Sequence, residues 1–242
     1  MGVEPGAIQK PSEFQRAAAE FAGTFFLTLV AAGADIFDLS SRTPIGHTSR
    51  YLAPGLLVTA MIWSISGISG AHINPAITFA FVLRRCFPLP RAVVYWVAQF
   101  AGAITAAALL RAFFGSNVRL GATHPGDGFT PLAAMLWEAL LTLILVFVIL
   151  GTAQEAAVVG KNVALAVGLT VALCGLFSSP ISGASMNPAR SFGPQLISGW
   201  LSFWWVYFAG PLIGAGLASA IVYLVHGPAR ESERIAAHGK HQ

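Results

Sequence analysis

The sequence predicts an all-α membrane protein with six transmembrane helices and two half-length helices, arranged as an inverted three-plus-three repeat. Three observations predict it: an extreme apolar composition, six apolar runs of spanning length, and a ten-residue segment that occurs twice. Of the 242 residues, 55% are hydrophobic and 10% charged, whereas a soluble domain is about a quarter charged. Mean hydropathy is +0.69. A helix needs about 20 mainly apolar residues to cross the hydrocarbon core, and residues 14–34, 51–68, 90–113, 131–153, 161–179 and 201–226 meet that length and character. No polar block between them is long enough to fold separately, so residues 1–226 read as one domain. The polar stretch 227–242 reads as a disordered tail.

The duplicated segment is Ser-Gly-Ala-His-Ile-Asn-Pro-Ala at residues 69–76 and Ser-Gly-Ala-Ser-Met-Asn-Pro-Ala at 182–189. A shift of 113 residues places Gly55 on Gly168, Asn74 on Asn187 and Phe79 on Phe192 without a gap. Outside that stretch the offset drifts: Glu20 meets Glu138 and Gly102 meets Gly210. The repeats thus cover about 12–113 and 131–226. Each copy holds three spans, an odd number, so the second enters the membrane from the opposite side, giving an inverted repeat about an axis in the membrane plane.

The half-length elements, 74–84 and 187–198, begin at Asn-Pro. Asparagine is a favoured N-cap, and proline suits the first helical position because its missing N–H would be unpaired there anyway. At ~1.5 Å per residue these segments reach only about half-way across the membrane. Irregular backbone at that depth survives where it is buried in protein or lines a water-filled cavity. Two helix N-termini, each equivalent to roughly half a positive charge, therefore converge at the midplane, with the Asn74 and Asn187 amides able to donate into the lumen. Carbonyls of 69–72 and 182–185 would form acceptor ladders on either side. This field favours neutral hydrogen-bonding solutes over cations and interrupts a proton-relaying file of water.

Charge and motif counts limit the alternatives. With an even number of spans, one side holds Lys10, Arg16, Arg84, Arg85, Arg91, Lys161, Arg230, Arg234 and Lys240, and the other holds Arg42, Arg50, Arg111 and Arg119. The positive-inside rule makes both termini cytoplasmic, in a multi-pass protein of the inner or plasma membrane. The pI near 9.4 follows from these scattered cations, without the basic block of a nucleic-acid binder. Residues 1–16 are polar and lead to no cleavage site, so no cleavable signal is expected. Cys86 and Cys174 form no disulfide framework or metal-ligand spacing. No hydrolase or metalloprotease motif is present, so neither an enzyme nor a cofactor is expected.

The doubled Ser-Gly-Ala-x-x-Asn-Pro-Ala motif and the inverted repeat make the chain resemble an aquaporin of the major intrinsic protein family over residues 12–226. The resemblance implies the hourglass fold, a homotetramer in the lipid bilayer, and a pore built by Asn74, Pro75, Ala76, Asn187, Pro188 and Ala189. It implies a lining formed by Ser69, Gly70, Ala71, His72, Ser182, Gly183 and Ser185, with Glu20 and Glu138 holding the two loops. Unpaired carboxylates in lipid are costly, which suits that inward role. The family's outer constriction falls on Pro54, Gly175, Ala184 and Arg190, with Arg190 as its cation. An aromatic residue and a histidine are expected at the first two places in water-selective members; both are missing, which implies a wide filter. A slip of the count across the helix start brings in Tyr51 or Leu52 instead. The Ser191 and Tyr207-Phe208 positions depart from the glycerol-facilitator pattern, and the combination resembles metalloid-permeable members. The expectation is a passive channel for water and small neutral solutes such as glycerol, boric acid or arsenous acid. A strictly water-selective channel and an ion-coupled secondary transporter are the alternatives.

Overall fold

The structure is a computed structural model that describes residues 10–40, 42–115, 117–155 and 162–239. Its elements in chain order are α1 (Glu13–Ser40), α2 (His47–Ser69), α3 (Pro75–Leu83), α4 (Leu89–Phe114), a 3-10 segment (Asn117–Gly121), α5 (Pro131–Gln154), α6 (Val163–Ser182), α7 (Pro188–Ser198), α8 (Val206–His226) and α9 (Glu231–His238). Six of these, α1, α2, α4, α5, α6 and α8, are long and apolar enough to span a bilayer. The half-helices are α3 and α7.

Local chemistry explains the starts and stops. The Asn74 side chain accepts from the Ala76 N–H, and that of Asn187 from Ala189 and Arg190, with proline following each cap. Spans α2 and α6 both end at a left-handed glycine, Gly70 (φ 87°) and Gly183 (φ 83°), where a residue without Cβ turns the chain back into the protein.

Packing follows the duplication. Helix α1 lies on α4 and α2, and its counterpart α5 lies on α8 and α6; α2 against α6 joins the halves. At that joint a Cβ on Gly55 would stand 2.6 Å from Gly168 O, and one on Gly168 would stand 2.5 Å from Gly55 O. The two equivalent glycines thus face each other and let the helix backbones touch. Gly210 and Gly214 serve contacts within the chain, against the Met135 and Ala139 carbonyls of α5. Large apolar side chains such as Leu56, Trp63, Val97, Leu136, Leu173 and Leu224 remain exposed on the outer surface, the pattern of a protein whose solvent is lipid.

One expectation is corrected. Residues 227–242 read as a disordered tail, yet Glu231–His238 form α9, with Glu233 and Ala237 wholly buried. Acidic residues in its first turn, Glu231 and Glu233, suit the helix dipole. The stretch is polar because its charges are consumed by partners across the interface. Residues 240–242 lie outside the described part.

Candidate functional site: a cavity between two inverted loops

Each loop that precedes a half-helix is wrapped around one buried carboxylate. Glu20 Oε1 accepts from the His72 N–H (2.9 Å) and Ser69 Oγ (2.7 Å), and its Oε2 accepts from the Ile73 N–H (2.6 Å) and Gln99 Nε2 (2.8 Å). Glu138 repeats the arrangement: Oε1 accepts from Ser182 Oγ (2.7 Å) and the Ser185 N–H (2.9 Å), and Oε2 from the Met186 N–H (2.7 Å). The loops need such anchors. Ala71, Ile73, Ala184 and Met186 all hold positive φ, between 43° and 54°, a region that non-glycine residues rarely enter and that costs about 1–3 kcal/mol each. Hydrogen bonds to a charged acceptor contribute about 1.5–3 kcal/mol each, and those to each carboxylate oppose the strain of its loop.

The loops then meet. Asn74 Nδ2 donates to Met186 O (2.8 Å), and Asn187 Nδ2 donates to Ile73 O (2.9 Å). Each asparagine therefore caps its own half-helix with its oxygen and ties to the opposite loop with one N–H, which leaves the second N–H of the amide for the cavity both residues line. Two helix N-termini are thereby fixed against one another at the middle of the molecule.

A cavity of about 140 Å³ passes this point. Its wall runs from Asp35, Arg50 and Tyr51 at the end away from the termini, past Pro54, Gly175, Ala184 and Arg190, to Gly70, His72 and Ala236 at the end carrying the termini. Apolar residues such as Val58, Ile62, Leu145, Ile149, Val167 and Val171 form much of the wall, so polar contacts are confined to a few places.

At the far end, Arg190 is fully engaged on one side: Nη1 donates to Gly121 O (3.0 Å) and Nη2 to Asp35 Oδ2 (2.9 Å). Arg50 reaches the other oxygen of Asp35 through Nε (2.9 Å) and Nη2 (2.8 Å), and Asp38 through Nη1 (3.2 Å). Tyr51 covers the place where Gly175 lacks a side chain, since a Cβ there would stand 2.6 Å from Tyr51 Cδ1. Pro54 and Tyr51 both line the cavity, one turn apart, whereas Leu52 is exposed and off its wall.

At the other end α9 lies directly against the first loop. His72 Nε2 is 3.0 Å from Ala237 O, and Nδ1 is 3.0 Å from Thr78 Oγ1. A Cβ on Gly70 would stand 2.6 Å from Ala237 O, so glycine here permits a close approach as well as the turn. The helix is fastened by Glu233, whose oxygens each lie 3.0 Å from Arg84 Nε or Nη2, with Gln154 Nε2 adding a third contact at 2.5 Å. Ser232 Oγ donates to Gln154 O (3.1 Å), Arg16 donates to His238 O, and Arg91 Nη1 donates to His238 Nδ1 (2.5 Å). Burial, followed by the Arg91 and Arg16 cations, pushes the His238 imidazole down to about 4.

The structure brings most of the sequence-marked residues to one place. Asn74, Asn187, Pro54, Gly175, Ala184, Arg190, Gly70, Ala71, His72, Gly183 and Ser185 all line the cavity. Pro75, Ala76, Pro188 and Ala189 are buried in the first turns of α3 and α7. Ser69 and Ser182 are corrected: they end α2 and α6, lie wholly buried off the cavity wall, and give their hydroxyls to Glu20 and Glu138. Their carbonyls leave the expected acceptor ladders too, because Tyr95 and Tyr207 hydroxyls donate to them (2.8 and 2.6 Å). Asp35, Tyr95, Gln99 and α9 were not marked by the sequence, and Arg50 only as a topological charge. No local signal pairs Asp35 with its arginines, which lie 15 and 155 residues away in the chain.

The model of the major intrinsic protein family matches residues 7–223. The chain belongs to that family. Aquaporin NIP1-3 of Oryza sativa subsp. japonica is 41% identical over 211 residues, covering 86% of this chain and 72% of the rice protein. Aquaporin NIP2-1 of Zea mays is 38% identical over 216 residues, covering 89% and 72%. Among solved structures, the aquaglyceroporin from Plasmodium falciparum superposes with a TM-score of 0.81 at 22% identity, over 90% of this chain and 98% of that one; this likeness establishes the shared fold. As a member of the major intrinsic protein family the chain is a membrane channel and not an enzyme.

Proposed function

We propose that the protein passively conducts water and small uncharged solutes of the size of glycerol, boric acid and arsenous acid, and rejects protons and ions. The observation that carries this reading is the reciprocal pair Asn74 Nδ2 to Met186 O and Asn187 Nδ2 to Ile73 O. It supports two electropositive helix ends aimed at the same point of the cavity, a field unfavourable to cations. The small Pro54, Gly175 and Ala184 beside Arg190 support a filter wider than one water. An ion-coupled carrier would need a titratable group in mid-cavity, and Glu20 and Glu138 are both committed to holding backbone.

The positive-inside count supports a cytoplasmic location for both termini in the cell membrane, and family membership supports a homotetramer. Stopped-flow light scattering on proteoliposomes with water, glycerol and boric acid gradients tests the solute range, and light scattering on the detergent-solubilised protein tests the tetramer. Flux of all three is the expected result. The position of Tyr51 over Gly175 favours a second reading, a strictly water-selective channel, and water flux with neither larger solute would select it.

A further inference from the structure

Among the described residues Asp35 is the only carboxylate lining the cavity, and its position has no counterpart in the motif-based filter. It lies on α1 near the far end, with its side chain 14% exposed, between Arg190 at 7% and Arg50 at 18%. Both oxygens are engaged by guanidinium groups. A carboxylate oxygen has more than one lone-pair site, and a guanidinium more donors than the bonds described use. The cluster therefore keeps hydrogen-bonding capacity of both kinds side by side at the cavity mouth.

Charge comes next. With Asp38 on the second edge of Arg50, two cations are matched by two anions, so the mouth attracts neither sign over distance. Beside the cluster stands the Tyr51 ring, seated on Gly175 and 5.4 Å from the Arg50 guanidinium, and Pro54 also lines the cavity. The mouth thus sets an apolar ring beside an acceptor on Asp35 and donors on Arg50 and Arg190. An uncharged solute with two or more hydroxyls fits this surface better than water does. One hydroxyl donates to Asp35, the next accepts from Arg190 or Arg50, and the carbon face rests on Tyr51.

We propose that Asp35, acting with Tyr51, is a specificity-determining residue of this channel, which selects neutral polyhydroxylated solutes at the mouth and cancels the charge of Arg190 so that anions are not drawn in. This inference rests on the channel reading above and adds to it a residue that the family's filter positions do not include.

The test compares wild type with Asp35→Asn and Asp35→Glu in proteoliposomes. Glycerol, boric acid and water permeability are measured by stopped-flow light scattering, and nitrate conductance by a voltage-sensitive dye. Losing the charged acceptor in Asp35→Asn is expected to lower the glycerol-to-water and boric-acid-to-water ratios about tenfold and to open a nitrate leak as Arg190 becomes uncompensated. Asp35→Glu keeps the charge but displaces the oxygens by a methylene, so it lowers the ratios without the leak. A wild type that passes neither water nor polyols overturns the channel reading itself. A wild type that passes water alone overturns the polyol selectivity proposed here. A conducting wild type with unchanged ratios and no leak in Asp35→Asn overturns the role of Asp35; should that variant fail to insert, unchanged ratios in Asp35→Glu do the same.

Discussion

Replacing Glu233 by glutamine removes one charge from an ion pair whose side chains are 0% and 4% exposed. The pair fastens α9 beneath the loop that carries His72. Breaking a buried pair by neutralising one partner costs about 3–5 kcal/mol. In the docked state Arg84 keeps its charge with no anion facing it, whereas release of α9 returns that guanidinium to water. The cost therefore falls on docking. At 1.4 kcal/mol per decade the docking constant drops by roughly two to three and a half orders of magnitude. A helix docked in about 99 of 100 molecules would then be released in at least half of them. Because Ala236 forms part of the cavity wall and Ala237 O meets His72, release widens that end, and Glu233→Gln should raise water permeability by more than tenfold if α9 limits flux in the wild type. Stopped-flow shrinkage of proteoliposomes reads the permeability, and trypsin cleavage at Arg230 and Arg234 reads release independently. Cleavage that becomes fast while water permeability stays at the wild-type value would refute the reasoning.

Other perturbations have equally definite outcomes. Lowering the pH at the α9 face should weaken docking. His238 titrates near 4 when docked against an ordinary value of 6.5, so its contribution is complete above about 6.5 and is lost as pH falls through that range towards 4. The groups facing it are Arg16, Arg91, Glu13 and His72, and a trypsin-sensitivity profile that is flat from pH 7 to 4 would contradict the assignment. Glu20→Gln and Glu138→Gln each place an amide donor among backbone donors; a loss of about 3 kcal/mol and of water flux is expected, and thermal unfolding in detergent at the wild-type temperature would argue against a loop-holding role. Gly55→Leu or Gly168→Leu forces α2 and α6 apart, and is expected to abolish the folded, detergent-stable protein by size-exclusion chromatography. Tyr51→Ala uncovers Gly175 and removes the apolar rest for the solute, so in stopped-flow measurements water permeability should rise and the glycerol-to-water ratio fall.

The elements legible in the sequence were those that repeat or have the right length. Six spans and two half-helices emerged because hydrophobic length and the Asn-Pro caps are local properties, and Glu20 and Glu138 because the duplication set one against the other. Tyr95 and Tyr207 do the same work in the two halves from positions that the repeat does not align, so comparing the halves could not find them. Asp35 and Arg50 looked like charges at the membrane boundary, since the partner that gives Asp35 meaning, Arg190, lies 155 residues away. The last helix escaped because its polarity matched that of a solvated tail; Glu233 is buried only through Arg84, on a different part of the chain. Length and periodicity report what a segment does by itself, and these residues act only in company.

The contact between Gly55 and Gly168 has one more implication. Each glycine is opposed by the very residue that stands in its place in the other half, the geometry an isologous dimer shows at its axis. A polypeptide of half this size bearing that glycine could build the same junction with an upside-down twin. The fused chain then holds permanently, by covalent linkage, an antiparallel partnership that two separate molecules would have had to find by collision.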